Sequence, residues 1–173
     1  MVKIPILHKA TSTFFVLAFS LCLMLNFGCR DKCKRVDCVE GTCVDGTCEC
    51  NEGYFGELCN QVLNANYNNA FALTENCTAG ADLYDVTIQA SSTNKSEIQI
   101  TGLWEQSNSM VTAQIASDGY AFSISRQSIA NNRDIVGNAT VNNDFDEITL
   151  DYDIYVTSAS QPFEQCSATL VKK

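Results

Sequence analysis

The sequence predicts a mainly β protein in two parts: a small disulfide-rich module, then an antiparallel meander closed as a barrel or folded as a sandwich. Three observations carry this. Six cysteines, Cys33, Cys38, Cys43, Cys48, Cys50 and Cys59, crowd into 27 residues. From residue 61 to residue 173 apolar and polar residues alternate again and again, with Pro162 the only proline. No apolar stripe of helical period and useful length competes with that alternation.

The chain opens differently. "MVKIPILHK" holds Lys3 and Lys9 and no acid, and "TSTFFVLAFSLCLMLNFG" then runs apolar up to Cys29. A basic start followed by a short apolar run is the pattern of an export signal, here residues 1–28. Gly28 before Cys29 resembles a bacterial lipobox. That resemblance implies an acylated Cys29 as first residue of the mature chain, residues 29–32 as a tether, and a place at the outer membrane or cell surface; the alternative is a freely secreted chain. Removing Lys3 and Lys9 from 11 Lys and Arg leaves 9 against 20 Asp and Glu, a net charge of −11. Such a chain is no partner for nucleic acid, whose phosphates call for basic patches. Its one basic cluster, Arg30, Lys32, Lys34 and Arg35, lies beside the acylation site, where it docks on anionic headgroups or serves as a solvated tether.

Cysteine counting assigns the sulfur. Cys22 leaves with the signal, and an exported chain meets an oxidising compartment, so six clustered cysteines read as three bridges. A zinc site is unsupported, because no C-x-x-C occurs and no histidine follows His8. "CECNEGYFGELC", preceded by "CKRVDCVEGTC", resembles an EGF-like module over residues 33–59. The resemblance implies the pairs Cys33 with Cys43, Cys38 with Cys48 and Cys50 with Cys59. Gly46, Gly53 and Gly56 suit turns with positive φ, and Tyr54 is expected as a structural aromatic. The lead-in "RDK" lacks the acidic residues of calcium-binding modules of this kind, so no calcium is expected.

A polar joint is expected over residues 60–66 and the β domain over residues 67–173. Ile148, Leu150, Tyr152, Ile154 and Val156 mark one long half-buried strand. Shorter alternations start at Tyr84, Ile98, Val111 and Phe122, separated by polar turns, and residues 63–75 leave room for a turn of helix. Cys77 shares parity with Phe71 and Leu73, and Cys166 with Ala168 and Leu170. Both therefore point inward, and a bridge between them ties the first strand to the last. The order of lipobox-like cysteine, EGF-like module and β domain resembles bacterial surface lipoproteins with a lipocalin-like or calycin-like second domain. "GLW", Gly102 to Trp104, sits mid-domain rather than on the first strand, so Trp104 is expected as a core or rim aromatic.

Catalysis has few materials here. The mature chain has no histidine and its cysteines are all assigned to bridges or lipid, so no catalytic residue, cofactor or metal ligand is expected. Asp151 and Asp153 on one strand face, and Asn142, Asp144 and Asp146 in the turn before it, read as solvated polar surface. Glu147 stands where a calcium loop of the helix–loop–helix kind needs glycine. The expected function is a non-enzymatic cell-envelope lipoprotein. Its EGF-like spacer presents the β domain to an unknown protein or glycan; alternatively the domain is a lipocalin-like carrier of a small apolar ligand or glycan.

Overall fold

A computed structural model describes residues 32–106 and 109–173, so Cys29, the expected export signal and Arg30 lie outside the described residues. The described residues are mainly β, with twelve strands among them. The first four belong to the module: β1 (Gly41–Val44), β2 (Thr47–Cys50), β3 (Tyr54–Phe55) and β4 (Gln61–Val62). Asp45 and Gly46 join β1 to β2, both with positive φ, as a two-residue hairpin turn demands. Three bridges staple this short stretch: Cys33–Cys43, Cys38–Cys48 and Cys50–Cys59. A segment this small cannot enclose a sufficient core, so covalent links carry its stability.

The other eight strands are β5 (Asn69–Cys77), β6 (Gly80–Ala90), β7 (Glu97–Thr101), β8 (Met110–Ile115), β9 (Ala121–Ile129), β10 (Arg133–Val141), β11 (Glu147–Val156) and β12 (Glu164–Lys172). They form a closed antiparallel barrel in which each strand pairs with its neighbours in sequence and β12 returns to pair with β5. Closure decides between the two architectures left open by the alternation: a barrel has no unpaired edge, and the sandwich is set aside. Residues 69–75 belong to β5, and residues 63–66 form hydrogen-bonded turns rather than a helix. Leu73, Ile88, Ile100, Ile124, Ile135, Leu150, Ile154 and Leu170 fill the interior, none more than 1% exposed. The Cys77–Cys166 bridge joins directly opposed residues of β5 and β12 across a sequence separation of 89. On chain-entropy grounds a loop of that length gives about 4–5 kcal/mol.

Two irregularities shape the wall. Only two residue pairs join β8 to β9; beyond them the Gln127 side chain continues the ladder, accepting from the Thr112 amide at 2.9 Å and donating to its carbonyl at 2.7 Å. At Gly137 the register of β10 against β9 shifts. A Cβ there would stand 2.8 Å from that of Tyr152, so the glycine admits the tyrosine to the interior.

The module closes one end of the barrel. Phe55 is buried and meets Tyr120 edge-on with centroids 6.0 Å apart, and a side chain at Gly119 would strike its ring. Residues 60–66, expected as a joint, carry β4 and the buried Leu63 and Asn64. Asn64 donates its amide to the carbonyls of Ser91, Asn94 and Glu97 at 3.0–3.1 Å. Tyr67 stacks edge-on with Phe122 and Phe145 and donates to the Gly119 carbonyl at 2.8 Å. The Lys95 ammonium lies 4.1 Å over the Tyr54 ring.

Candidate functional site

The opposite end of the barrel is built from different chemistry. The inward row of β5 runs Phe71, Leu73, Glu75, so a carboxyl follows two apolar residues as the strand nears the mouth. Glu75 is 5% exposed, and its Oε2 accepts hydrogen bonds from the hydroxyls of Tyr84, at 2.8 Å, and Tyr152. The Tyr84 hydroxyl also accepts the backbone amide of Trp104 at 2.9 Å. The Trp104 indole in turn donates to Oε2 of Glu164, 2.9 Å away and 7% exposed. Five residues, from four strands and the loop after β7, thus form one connected network around two buried carboxyls.

The loop after β7 positions the indole. Gly102 has φ of 93° and passes so close to β6 that a Cβ would lie 2.9 Å from the Asp85 carbonyl oxygen. Trp104 and Glu105 both follow with φ near 55°, a conformation that costs non-glycine residues about 1–3 kcal/mol each. Bonds at both the amide and the indole of Trp104 hold it there.

Burial, more than any other influence, pushes the Glu75 carboxyl above its ordinary value; the tyrosine bonds act against this, and the neighbouring Asp82 and Glu164 push it higher still. Burial also raises Tyr84 and Tyr152, which remain hydrogen-bond donors across the physiological range. A cavity of about 370 Å³ opens here, with Glu75, Asp82, Glu105, Glu164 and Trp104 in its walls, within the size range of small-molecule sites. Of the ten residues that line it four are acidic and none is basic. Arg133 stands at the same end, its guanidinium 4.5 Å over the Phe163 ring and outside that lining. Glu75, Cys77 and Cys166 come within metal-binding distance of one another, yet both sulfurs belong to the bridge, so a single carboxylate is the only ligand left in the trio.

Asp151 and Asp153 project from the outer wall beside a second concavity of about 560 Å³ that includes Asn76, Asn138 and Gln165. Asp153 accepts from Gln165 at 3.1 Å, while Asp151 is exposed. Asn142 and Asp146 lie in the β10–β11 turn, where the Asn142 side-chain oxygen accepts the amides of Asp146 and Glu147. Trp104 is a rim aromatic. Glu75 and Glu164 escaped the reading of the sequence, although a signal was there: each sits two residues before an inward cysteine, so period two places it inside.

No protein-family model, curated protein or solved structure matches the chain.

Proposed function

We propose that this is a cell-envelope lipoprotein whose barrel binds a small ligand at the mouth opposite its anchor. In this reading Cys29 is acylated, the EGF-like module is a short rigid spacer, and the lipocalin-like barrel is the recognition domain. Four disulfides suit a protein exported to an oxidising compartment. The observation that carries the proposal is the polarity of the barrel: one end is capped by the module that follows the anchor, and the other is a cavity with two buried carboxyls. Proteins bury carboxyls at a cost of several kcal/mol unless pairing or function compensates. A packed interior favours recognition at the mouth over carriage of an apolar ligand along the barrel axis.

Native mass spectrometry of protein extracted from its own envelope tests this reading. Wild type is expected to carry a fatty-acyl adduct that Cys29→Ala lacks, and a bound small molecule that substitution of Glu164 by Gln releases. An unacylated wild type contradicts the anchor. A ligand retained undiminished by the Glu164 variant contradicts the site.

A further inference from the structure

We propose that the mouth ligand is an organic cation, a primary or quaternary ammonium with a small apolar body. The inference rests on the reading of the mouth as a binding site and adds the chemical class. Two side chains more than nine-tenths buried, Glu75 and Glu164, line the cavity. In each, all hydrogen bonds from described residues fall on Oε2, and Oε1 has no described partner. Neither oxygen is sealed from solvent, since Arg133 Nε is the only fully buried side-chain nitrogen or oxygen without a partner among the described residues, so both are open to an incoming ligand. The charges acting on Glu75 are those of Asp82 and Glu164, both acidic. A cation placed between the free oxygens meets only acidic neighbours, and an anion finds no basic residue in the lining.

The remaining lining separates an ammonium from a metal ion. Calcium takes about six to eight oxygen ligands, and magnesium demands an octahedral set. The two buried carboxyls offer one free oxygen each; Asp82 and Glu105 are exposed and do not gather with them into a ligand cluster, and the rest of the lining is an indole, the Gln106 amide, a disulfide sulfur and the small residues Ala79, Gly80 and Ala81. An ammonium needs only two or three acceptors. Its alkyl portion packs against the small residues, and Trp104 supplies a ring face suited to cations. A neutral alcohol of the same shape donates to one oxygen at most and brings no charge to the acidic lining, so the site discriminates by charge.

Isothermal titration of the disulfide-intact mature chain tests the assignment, with n-butylammonium, tetramethylammonium, n-butanol and calcium chloride as probes. At least one ammonium is expected to bind saturably, with n-butanol at least tenfold weaker. Glu164→Gln is expected to weaken ammonium binding at least tenfold, and Asp151→Asn on the outer wall to change it less than twofold. Should the Glu164 variant fail to fold, Glu75→Gln is the second test with the same expectation. Equal binding of n-butanol, saturation by calcium alone, or no response to any ammonium overturns the proposal. If native mass spectrometry recovers a neutral or anionic molecule that Glu164→Gln releases, the cation assignment fails while the binding mouth stands.

Discussion

Glu75 occupies a position where the inward row of β5 otherwise holds apolar side chains. Its raised proton affinity has a definite consequence for stability. The native state keeps a proton that the unfolded chain releases above its ordinary value of 4.5, so the stabilisation is complete below that pH and is lost as pH rises through the elevated value. Stability of wild type relative to Glu75→Gln should therefore fall as pH rises from 4.5 through the elevated value, with roughly 1.4 kcal/mol lost per pH unit across that interval. Urea unfolding of both proteins across that window measures the difference; a pH-independent gap would contradict the assignment. The residue was hidden from sequence reading because a lone glutamate in an alternating strand has no local mark of burial. Only its parity with Leu73 and Cys77, combined with the inward direction of the bridge, exposes it.

Elements were legible in proportion to how far their own residues dictate them. In β11 five apolar residues alternate with polar ones, and the strand lies where that period places it. The start of β5 is rich in Asn and Ala, gives no clear period, and left room for a helical turn. Its pairing with β6 and β12 over nine and seven residues settles the matter through contacts distant in sequence. The segment after Cys59 was the hardest to read. Its buried residues, Leu63, Asn64 and Tyr67, follow no period because they face different partners: Leu63 bonds back to Gly53 of the module, Asn64 to the β6–β7 hairpin, and Tyr67 meets Gly119 and Phe145. Asn64 is the most telling, since it pins the β6–β7 hairpin by three carbonyls. Asn64→Ala should cost about 1–3 kcal/mol, the penalty for unpaired buried acceptors, read as a lower urea midpoint with unchanged slope. A change within a few tenths of a kcal/mol would mean that water replaces the amide freely.

At the scale of the whole molecule, the bridge between β5 and β12 links fold and function. It fastens the first barrel strand to the last at the mouth end, on the same two strands that carry Glu75 and Glu164. The module fastens the other end through Phe55 and Tyr67. Closure of the sheet was foreseeable from the two late cysteines, whereas the division into a plugged end and an open acidic end was not. That division depends on which hairpins gather at each rim, a property of topology that no single stretch encodes. Opposed ends also fix direction: a barrel held by its plugged end presents the mouth away from the surface that holds it.

The chain has one tryptophan, and its indole N–H points at Glu164, so a single resonance reports on the mouth. Proton–nitrogen correlation spectra recorded while n-butylammonium chloride is added test the central claim most directly. The account predicts a saturable shift of the Trp104 indole signal together with the amides of Glu75 and Glu164, while module residues such as Val44 and Thr47 stay in place. An unmoved indole signal, or shifts confined to Asn138, Asp151 and Ser167 on the outer wall, would contradict it.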